Sequence, residues 1–453
     1  MTGSITGLAW RSLRRRPAAA TATFLAVLLG TVLIGSFATL TETSFATSGD
    51  DAGTLVIFGA VVGGWGAAIV LFSVASTVGI TATQRASEIG LIRTIGATPR
   101  QARRLINREV AAIAVVAAAF GGGIALVTGR LLFSVIRSGG LVSDSVEYDG
   151  GPASVGVAAL VVLVVSAIAS RVAARRATSG PAGVLARSGA SERGRMRWWR
   201  VAIGLALVGY GIAMAVITVT VTAHDDDPYA AMSTSGSSSI LVGVGLAVLA
   251  PVLLRWCAAP FRLLTGRGAS GHLASYNTAR RAHLLSGVLA PVIVLTAAAI
   301  GTLMLVSIDT RSLPEGTPDS DTINLLNNVV VGMISLFAAI MVINAFVAVI
   351  AHRRAELERL HRLGATPGQV GSSVVAEAAI VAAVGVVLGA LASTASFVPF
   401  AIARDEGVVP DGALWLPPTI AVAVVALTLA SARFAVRPTV RGLARPMAAG
   451  GVR

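Results

Sequence analysis

The chain has 453 residues, of which 55% are hydrophobic and 13% are charged, and its mean hydropathy is +0.79. A soluble protein of this length carries about twice that charged fraction, so the composition excludes an ordinary soluble domain and predicts a helical membrane protein with many spans. The formal net charge of +14 comes from arginine alone, since the sequence contains no lysine. Most arginines lie between apolar runs, which favours membrane topology over nucleic acid binding as their explanation. Exclusive use of arginine is typical of a GC-rich bacterium.

Ten apolar segments are long enough to cross a bilayer as helices. The first follows the basic stretch "RSLRRRP" and is interpreted as a retained span, because its apolar run is longer than that of a cleaved signal peptide. The predicted limits are 17–40, 53–80, 108–135, 152–173, 200–221, 238–261, 284–308, 324–350, 372–402 and 414–434.

The charges between these segments alternate along the chain. With the N-terminus inside, the cytoplasmic side collects 32 of the 36 arginines, and 16 of the 22 acidic residues face outward. Arginine-rich loops stay in the cytoplasm, so this distribution predicts ten spans with both termini cytoplasmic, in the cell membrane. The four arginines that fall toward the outer side are Arg130, Arg137, Arg311 and Arg404.

A short charged element between spans occurs twice. It reads "EIGLIRTIGATPRQ" at 88–101 and "ELERLHRLGATPGQ" at 356–369. Basic segments also precede the first and seventh spans, and each half then runs through four spans in the same order. The sequence therefore predicts an all-α integral membrane protein made of two parallel four-span units, 1–199 and 263–453, joined by two connecting spans in 200–262.

Each copy of the element predicts a short amphipathic helix, a stop and a new helix. Gly96 and Gly364 suit the left-handed position just past a helix end. The Thr-Pro pairs that follow supply an N-cap residue and a proline at the first helical position, and a glutamine three residues after each threonine completes a capping box. Three apolar pairs, Ile89/Leu357, Ile92/Leu360 and Ile95/Leu363, are predicted to form one stripe. Such an element could transmit force from a partner, or it could be an ordinary capped loop.

The stretch "RASEIGLIRTIGATPRQ" resembles the FtsX-like permease family of ABC transporters, which includes the macrolide-exporter and lipoprotein-release permeases. In that family, an E-I-G-x-x-R-x-x-G-A element forms a cytoplasmic coupling helix that docks on the ATPase subunit. The second copy departs from this pattern at Glu358 and His361, which replace the glycine and the arginine. The resemblance implies docking residues Glu88, Ile89, Gly90, Arg93, Gly96 and Ala97 in the first copy, and Glu356, Leu357, Leu360, Gly364 and Ala365 in the second.

A phosphate-binding loop of the G-x-x-x-x-G-K-[ST] type requires lysine and cannot occur in this chain. The resemblance thus implies that the chain is not an enzyme, that it carries no catalytic, cofactor or metal site, and that ATP and Mg²⁺ are bound by a separate subunit. Two docking elements imply two copies of a cytoplasmic ABC ATPase on one chain.

Two predicted spans are candidates for a substrate path. The segment 59–76 is rich in small residues, which favours close helix packing, and its counterpart is 324–350. The polar candidates along this path are Ser73, Ser76, Asn327, Asn328 and Asn344. Hydrogen bonding between packed helices is the alternative role for each. Glu109 and Glu377, near the inner ends of their spans, are expected to pair with arginines on neighbouring helices; an ion or proton site is the alternative.

The function expected from the resemblance is that of a transmembrane permease subunit of an ABC exporter. The predicted outer loops are short, so membrane-embedded cargo such as a hydrophobic drug, a lipopeptide or a lipid is favoured over roles that need a large extracellular domain. A non-transporting mechanotransmitter or regulatory scaffold driven by the same ATPase is the alternative. An ion-coupled secondary transporter is disfavoured, because no carboxylate is predicted near the membrane midplane.

Overall fold

The computed structural model describes residues 17–56, 93–178, 198–224, 230–257, 269–312 and 356–444, together with residues 196 and 260 and scattered positions within 58–91 and 332–353. Helices connected by turns and short loops make up these residues, and no strand occurs among them. The helices are α1 (Pro17–Phe45), α2 (Asp50–Val56), α3 (Pro99–Ser138), α4 (Pro152–Thr178), α5 (Trp198–Thr220), α6 (Ala230–Cys257), α7 (Ala269–Arg280), α8 (Ala282–Ser312), α9 (Pro367–Ala403) and α10 (Leu416–Ala444).

Eight of these helices are long and apolar enough to cross a membrane: α1, α3, α4, α5, α6, α8, α9 and α10. They coincide with eight of the ten predicted spans. The other two, 53–80 and 324–350, lie largely outside the described residues, so the total of ten and the cytoplasmic placement of the termini stay predictions. The chain is a multi-pass membrane protein.

The chain forms two compact units, one of residues 1–192 with 314–337 and the other of residues 193–313 with 338–453. Within the first unit, α1 packs along α3 and α4, and α3 packs along α4. The outward face of α4 carries an exposed apolar stripe that includes Val157, Leu160, Val164 and Ile168. Their spacing of three or four residues places them on one side of the helix, as expected for a surface that contacts lipid tails.

Within the second unit, α8 is the most buried of the described spans. It packs against α6, α9 and α10, and the large buried side chains Leu289, Ile293 and Ile300 lie along it. The predicted connecting spans correspond to α5 and α6, which pack against each other and against α9. The boundaries predicted at residues 199 and 262 stay predictions.

Each of the two predicted repeats contains a close helix crossing at the corresponding position. A Cβ atom built on Gly121 of α3 would lie 2.6 Å from the carbonyl oxygen of Leu28 and 3.0 Å from the Cβ of Thr31. A Cβ atom built on Gly389 of α9 would lie 2.8 Å from the carbonyl oxygen of Ile293 and 2.5 Å from the Cβ of Thr296. Glycine therefore lets α3 approach α1, and α9 approach α8, at corresponding points of the two repeats.

Ion pairs hold several helices at the ends that the charge pattern predicts to be outside. Arg404 donates to Asp309 at 2.9 Å, Arg311 lies 3.1 Å from Glu406, and Arg137 lies 3.3 Å from Asp144. Three of the four arginines predicted to face outward are thus paired with acidic groups.

Candidate functional site

Both copies of the repeated element contain the predicted capping box. The backbone N–H of Gln101 donates to the hydroxyl of Thr98 at 3.3 Å, and the backbone N–H of Thr98 donates to the Gln101 side chain at 2.9 Å. The Thr366 and Gln369 pair makes the same two bonds, at 3.2 and 2.9 Å. A proline opens each helix. The N-terminal ends of α3 and α9 therefore have satisfied backbone donors and fixed starting points.

The predicted left-handed glycines are also present. Gly96 has a φ of +107° and Gly364 a φ of +102°. In the second copy, the N–H of Gly364 donates to the carbonyl of His361 at 3.0 Å, and the N–H of Ala365 donates to the carbonyl of Leu360 at 3.1 Å. These two bonds form a Schellman motif, which ends a helix sharply. The helix and the turn that the sequence predicts are confirmed in this copy.

We call residues 356–369 the second coupling segment and residues 88–101 the first. The apolar stripe predicted for them divides in the structure. Leu357 is fully buried in a cluster with Val370, Val374 and others, and Leu360 packs against that cluster. Leu363 is 85% exposed, and the corresponding Ile95 is 82% exposed. A helix turns about 100° per residue, so two steps of three residues rotate the third position about 120° from the first. In the second segment the prediction of a single stripe is therefore wrong at its third position; in the first segment Ile89 and Ile92 lie outside the described residues, so the prediction stays open there.

The second coupling segment begins in a cluster of ionic groups, which we call the inner ionic cluster: Arg281, Arg353, Glu356, Glu377 and the amide of Asn277. The Glu356 carboxylate is paired with Arg281 at the α7–α8 junction, and it lies 3.7 Å from Arg353. Arg353 also makes two hydrogen bonds to Glu377 on α9, one of them at 3.0 Å. Asn277 on α7 donates to the same carboxylate at 3.0 Å. The expected arginine partner of Glu377 is thus observed.

Burial makes the Arg353–Glu377 pair consequential. The two side chains are 5% and 2% exposed. Burial alone would lower the pKa of Arg353, but the neighbouring carboxylates of Glu377 and Glu356 outweigh it and raise that pKa above its usual value. The arginine is therefore a fixed charge. Removing Arg353 would leave the Glu377 carboxylate buried without its counter-charge, which typically costs about 3–5 kcal/mol.

The first coupling segment is attached differently. Arg93 donates to the carbonyl oxygen of Thr178 at the end of α4, at 3.1 Å. Arg103 on α3 donates to the hydroxyl of the same threonine at 2.7 Å. In the second segment the corresponding position is His361, whose Nδ1 lies 2.8 Å from the carbonyl oxygen of Ala365 within its own turn. Arg93 thus connects the first coupling segment to α4, whereas His361 makes its hydrogen bond within the second coupling segment itself.

The structure describes only some of the predicted site residues. Glu88, Ile89, Gly90, Ser73, Ser76, Asn327, Asn328 and Asn344 lie outside the described residues. Of the rest, Gly96, Ala97, Gly364 and Ala365 lie in the two turns, and Glu109 is buried at the position that corresponds to Glu377.

Sequence reasoning did not single out Arg281, Arg353 or Asn277. A signal was present, because an arginine stands three residues before the element's glutamate in both halves, at Arg85 and at Arg353. Repetition of a charge at one spacing in two halves indicates a shared structural role.

A sequence model described as the FtsX-like permease C-terminal region matches residues 60–182 and, a second time, residues 328–441. Together these segments make up just over half of the chain. Each contains one coupling segment and almost all of the two long helices that follow it. A comparison with curated proteins finds no match.

Proposed function

The chain belongs to the FtsX-like permease family, and from this premise we propose that it is the transmembrane subunit of an ABC exporter for a hydrophobic or amphipathic substrate. The family consists of membrane subunits of ABC transporters, which generally work with a separate ABC ATPase. ATP hydrolysis by that partner would drive this chain, which binds neither ATP nor Mg²⁺ itself. A drug, a lipopeptide or a lipid is the class of cargo we favour.

One observation carries the proposal: each coupling segment presents an exposed apolar side chain next to a turn that a left-handed glycine forms. Ile95 and Leu363 occupy corresponding positions, immediately before Gly96 and Gly364, and both side chains are more than four-fifths exposed. The second segment is anchored on its other side by Leu357, which is buried in a cluster with Val370 and Val374. An exposed apolar tip on a supported segment suits insertion into an apolar groove of a partner, because only the tip loses contact with water.

Two such segments support binding of two ATPase protomers by one chain. The family match covers both segments, and each is followed by a capped helix that continues into the membrane. A push on either segment would therefore reach a long membrane helix, α3 or α9, at its inner end.

Short outer connections support a membrane-embedded cargo. Residues 139–151 join α3 to α4, and residues 404–415 join α9 to α10. Between these helices there is no room for a separate extracellular domain that could receive a soluble substrate. The path we propose runs along the segments 59–76 and 324–350, with Ser73, Ser76, Asn327, Asn328 and Asn344 as its polar residues.

The docking step can be tested with Ile95→Asp, Leu363→Asp and the double variant. Each aspartate would place a charge in the proposed apolar contact, so the amount of ABC ATPase that co-purifies with the full chain should fall about tenfold or more in the double variant. Both native side chains are exposed, so expression and thermal stability should stay unchanged. Leu414→Asp, at an exposed position in the outer loop, is the matched control. Normal recovery of the ATPase with the double variant would contradict the proposal.

Transport needs its own assay. Vesicles that contain the chain and its ATPase should move a fluorescent phospholipid between leaflets only when ATP is present. ATP hydrolysis that continues while neither this lipid nor a panel of hydrophobic dyes moves would instead favour a mechanotransmitting scaffold.

A further inference from the structure

The carboxylate of Glu356 already has partners within its own chain. It is paired with Arg281 on one side and lies 3.7 Å from Arg353 on the other, and its side chain is only 34% exposed. The family resemblance would assign this residue to the contact with the ATPase. A cationic group of a partner would have to compete for this carboxylate with two guanidinium groups of the same chain, Arg281 and Arg353.

We propose that Glu356 is a positioning residue that acts inside this chain, through Arg281 and Arg353, rather than a contact to the ATPase. The charges alternate in the order Arg281, Glu356, Arg353, Glu377, so each neighbouring pair attracts. The inner ionic cluster fixes the second coupling segment to the rest of its unit. This inference rests on the proposed function where it concerns the ATPase, and on the geometry alone where it concerns the segment.

The cluster joins three parts of the chain that are distant in sequence. Arg281 lies between α7 and α8, Asn277 lies on α7, and Glu377 lies on α9, ten residues after the N-terminal proline of that helix. A displacement of the segment is thereby transmitted to α7 and α9 together, and the apolar tip at Leu363 stays free for the partner.

The sequence repeats the same four charges in the first half. Arg85, Glu88 and Glu109 each stand 268 positions before Arg353, Glu356 and Glu377, and Arg16 stands before α1 as Arg281 stands before α8. Arg16, Arg85 and Glu88 lie outside the described residues, and Glu109 is buried. The recurrence supports a structural role for the charges, since the two segments otherwise differ at several positions.

A double-mutant cycle on Arg281 and Glu356 tests the inference. Arg281→Gln, Glu356→Gln and the double variant are prepared in the full chain in lipid nanodiscs, with no ATPase present. Backbone hydrogen exchange in residues 356–369 should quicken about tenfold in each single variant, and the double variant should exchange no faster than the faster single one, because both changes break the same contact. Arg281→Lys, which keeps the charge, should stay within about threefold of the native rate.

The same variants are then compared in complex with the co-purifying ATPase. Arg281→Gln and Glu356→Gln should reduce ATP-driven lipid movement to the same extent while the amount of bound ATPase stays at the native level. Glu406→Gln, which breaks the Arg311–Glu406 pair at the outer side, is the matched control. This control should leave both exchange in 356–369 and ATPase binding unchanged.

Two results would overturn the inference. One is a loss of bound ATPase in Glu356→Gln with native exchange rates, which would make Glu356 a docking residue. The other is additive acceleration of exchange in the double variant, which would show that the two side chains act separately. Failure of any ATPase to co-purify with the native chain would contradict the proposed function, while the exchange experiment would still decide the role of Glu356.

Discussion

At the scale of single residues, two glycines allow long helices to approach each other closely. Gly121 and Gly389 both face a backbone carbonyl and a threonine of the preceding long helix. The hydroxyls of these threonines, Thr31 and Thr296, donate hydrogen bonds to backbone carbonyls one turn earlier in their own helices, at 2.9 and 2.8 Å. Neither hydroxyl therefore needs a partner across the crossing, where the two helices meet by close packing.

Gly121→Ala should destabilise the chain, because its methyl group would lie too close to the Leu28 carbonyl oxygen. We expect a loss of about 1–3 kcal/mol in the free energy of unfolding, typical of overpacking. The matched control is Gly123→Ala on the same helix, where a Cβ atom meets nothing within 4 Å. Thermal unfolding in detergent is the measurement, and the control should be as stable as the native chain or slightly more stable, since alanine favours helix. Equal stability of the two variants would refute this account of the crossing.

At the scale of elements, local sequence predicts the helix ends well. The capping boxes and the left-handed glycines depend only on residues that are close in sequence. The pattern "GATP", with a glutamine three residues after the threonine, was therefore sufficient to predict where one helix ends and the next begins. The division of the apolar stripe was not predictable in this way. Leu357 is buried because α9 and α10 supply Val370, Val374 and Val436 around it, and these contacts depend on tertiary packing.

The inner ionic cluster shows the same limit. The pattern predicted that Glu377 pairs with an arginine, because a buried carboxylate near the membrane surface needs a partner. Which arginine it pairs with depends on how α7, α9 and the second coupling segment meet, and that is decided by packing between distant parts of the chain. Arg353 and Arg281 were among several basic residues near the inner ends of the spans, and charge alone did not distinguish them.

Thr366→Ala should loosen the start of α9 without unfolding the chain. Loss of the capping hydroxyl typically costs about 0.5–2 kcal/mol, and the cost falls on the first turn of the helix. Hydrogen exchange should quicken in residues 367–370 and stay unchanged in the outer half of α9. Thr394→Ala is the control, because this exposed hydroxyl bonds only to a carbonyl of its own helix. Exchange that is native-like at residues 367–370 in Thr366→Ala would show that the capping box does not hold the turn.

At the scale of the whole molecule, the predicted arrangement of two parallel repeats would place corresponding loops on the same side of the membrane. The positive-inside pattern predicts that the loops 139–151 and 404–415 are both outside and that both coupling segments are in the cytoplasm. An inverted repeat would instead place the two loops on opposite sides. The eight observed spans are compatible with the predicted order, and the sidedness is open to direct measurement.

Single cysteines can measure that sidedness, because the native chain contains only Cys257. In a Cys257→Ser background, Asp144→Cys and Asp411→Cys should react with a membrane-impermeant maleimide applied to intact cells. Thr94→Cys and Arg362→Cys, in the two coupling segments, should react only after the cells are opened. Labelling of one outer-loop cysteine but not the other in intact cells would exclude the parallel arrangement.

The glycine crossing on α9 also has a mechanical consequence. Gly389 lies roughly 33 Å from the inner end of α9 and about 21 Å from its outer end, at 1.5 Å per residue. Close packing of Gly389 against the Ile293 carbonyl should resist sliding more than tilting, so under the proposed function the crossing would act as a fulcrum. A tilt imposed at the inner end then swings the outer end in the opposite direction by about two thirds of the distance. If an ATPase pushes the N-terminal end of α9, as we propose, it acts on the longer arm, and α9 would exchange amplitude for force.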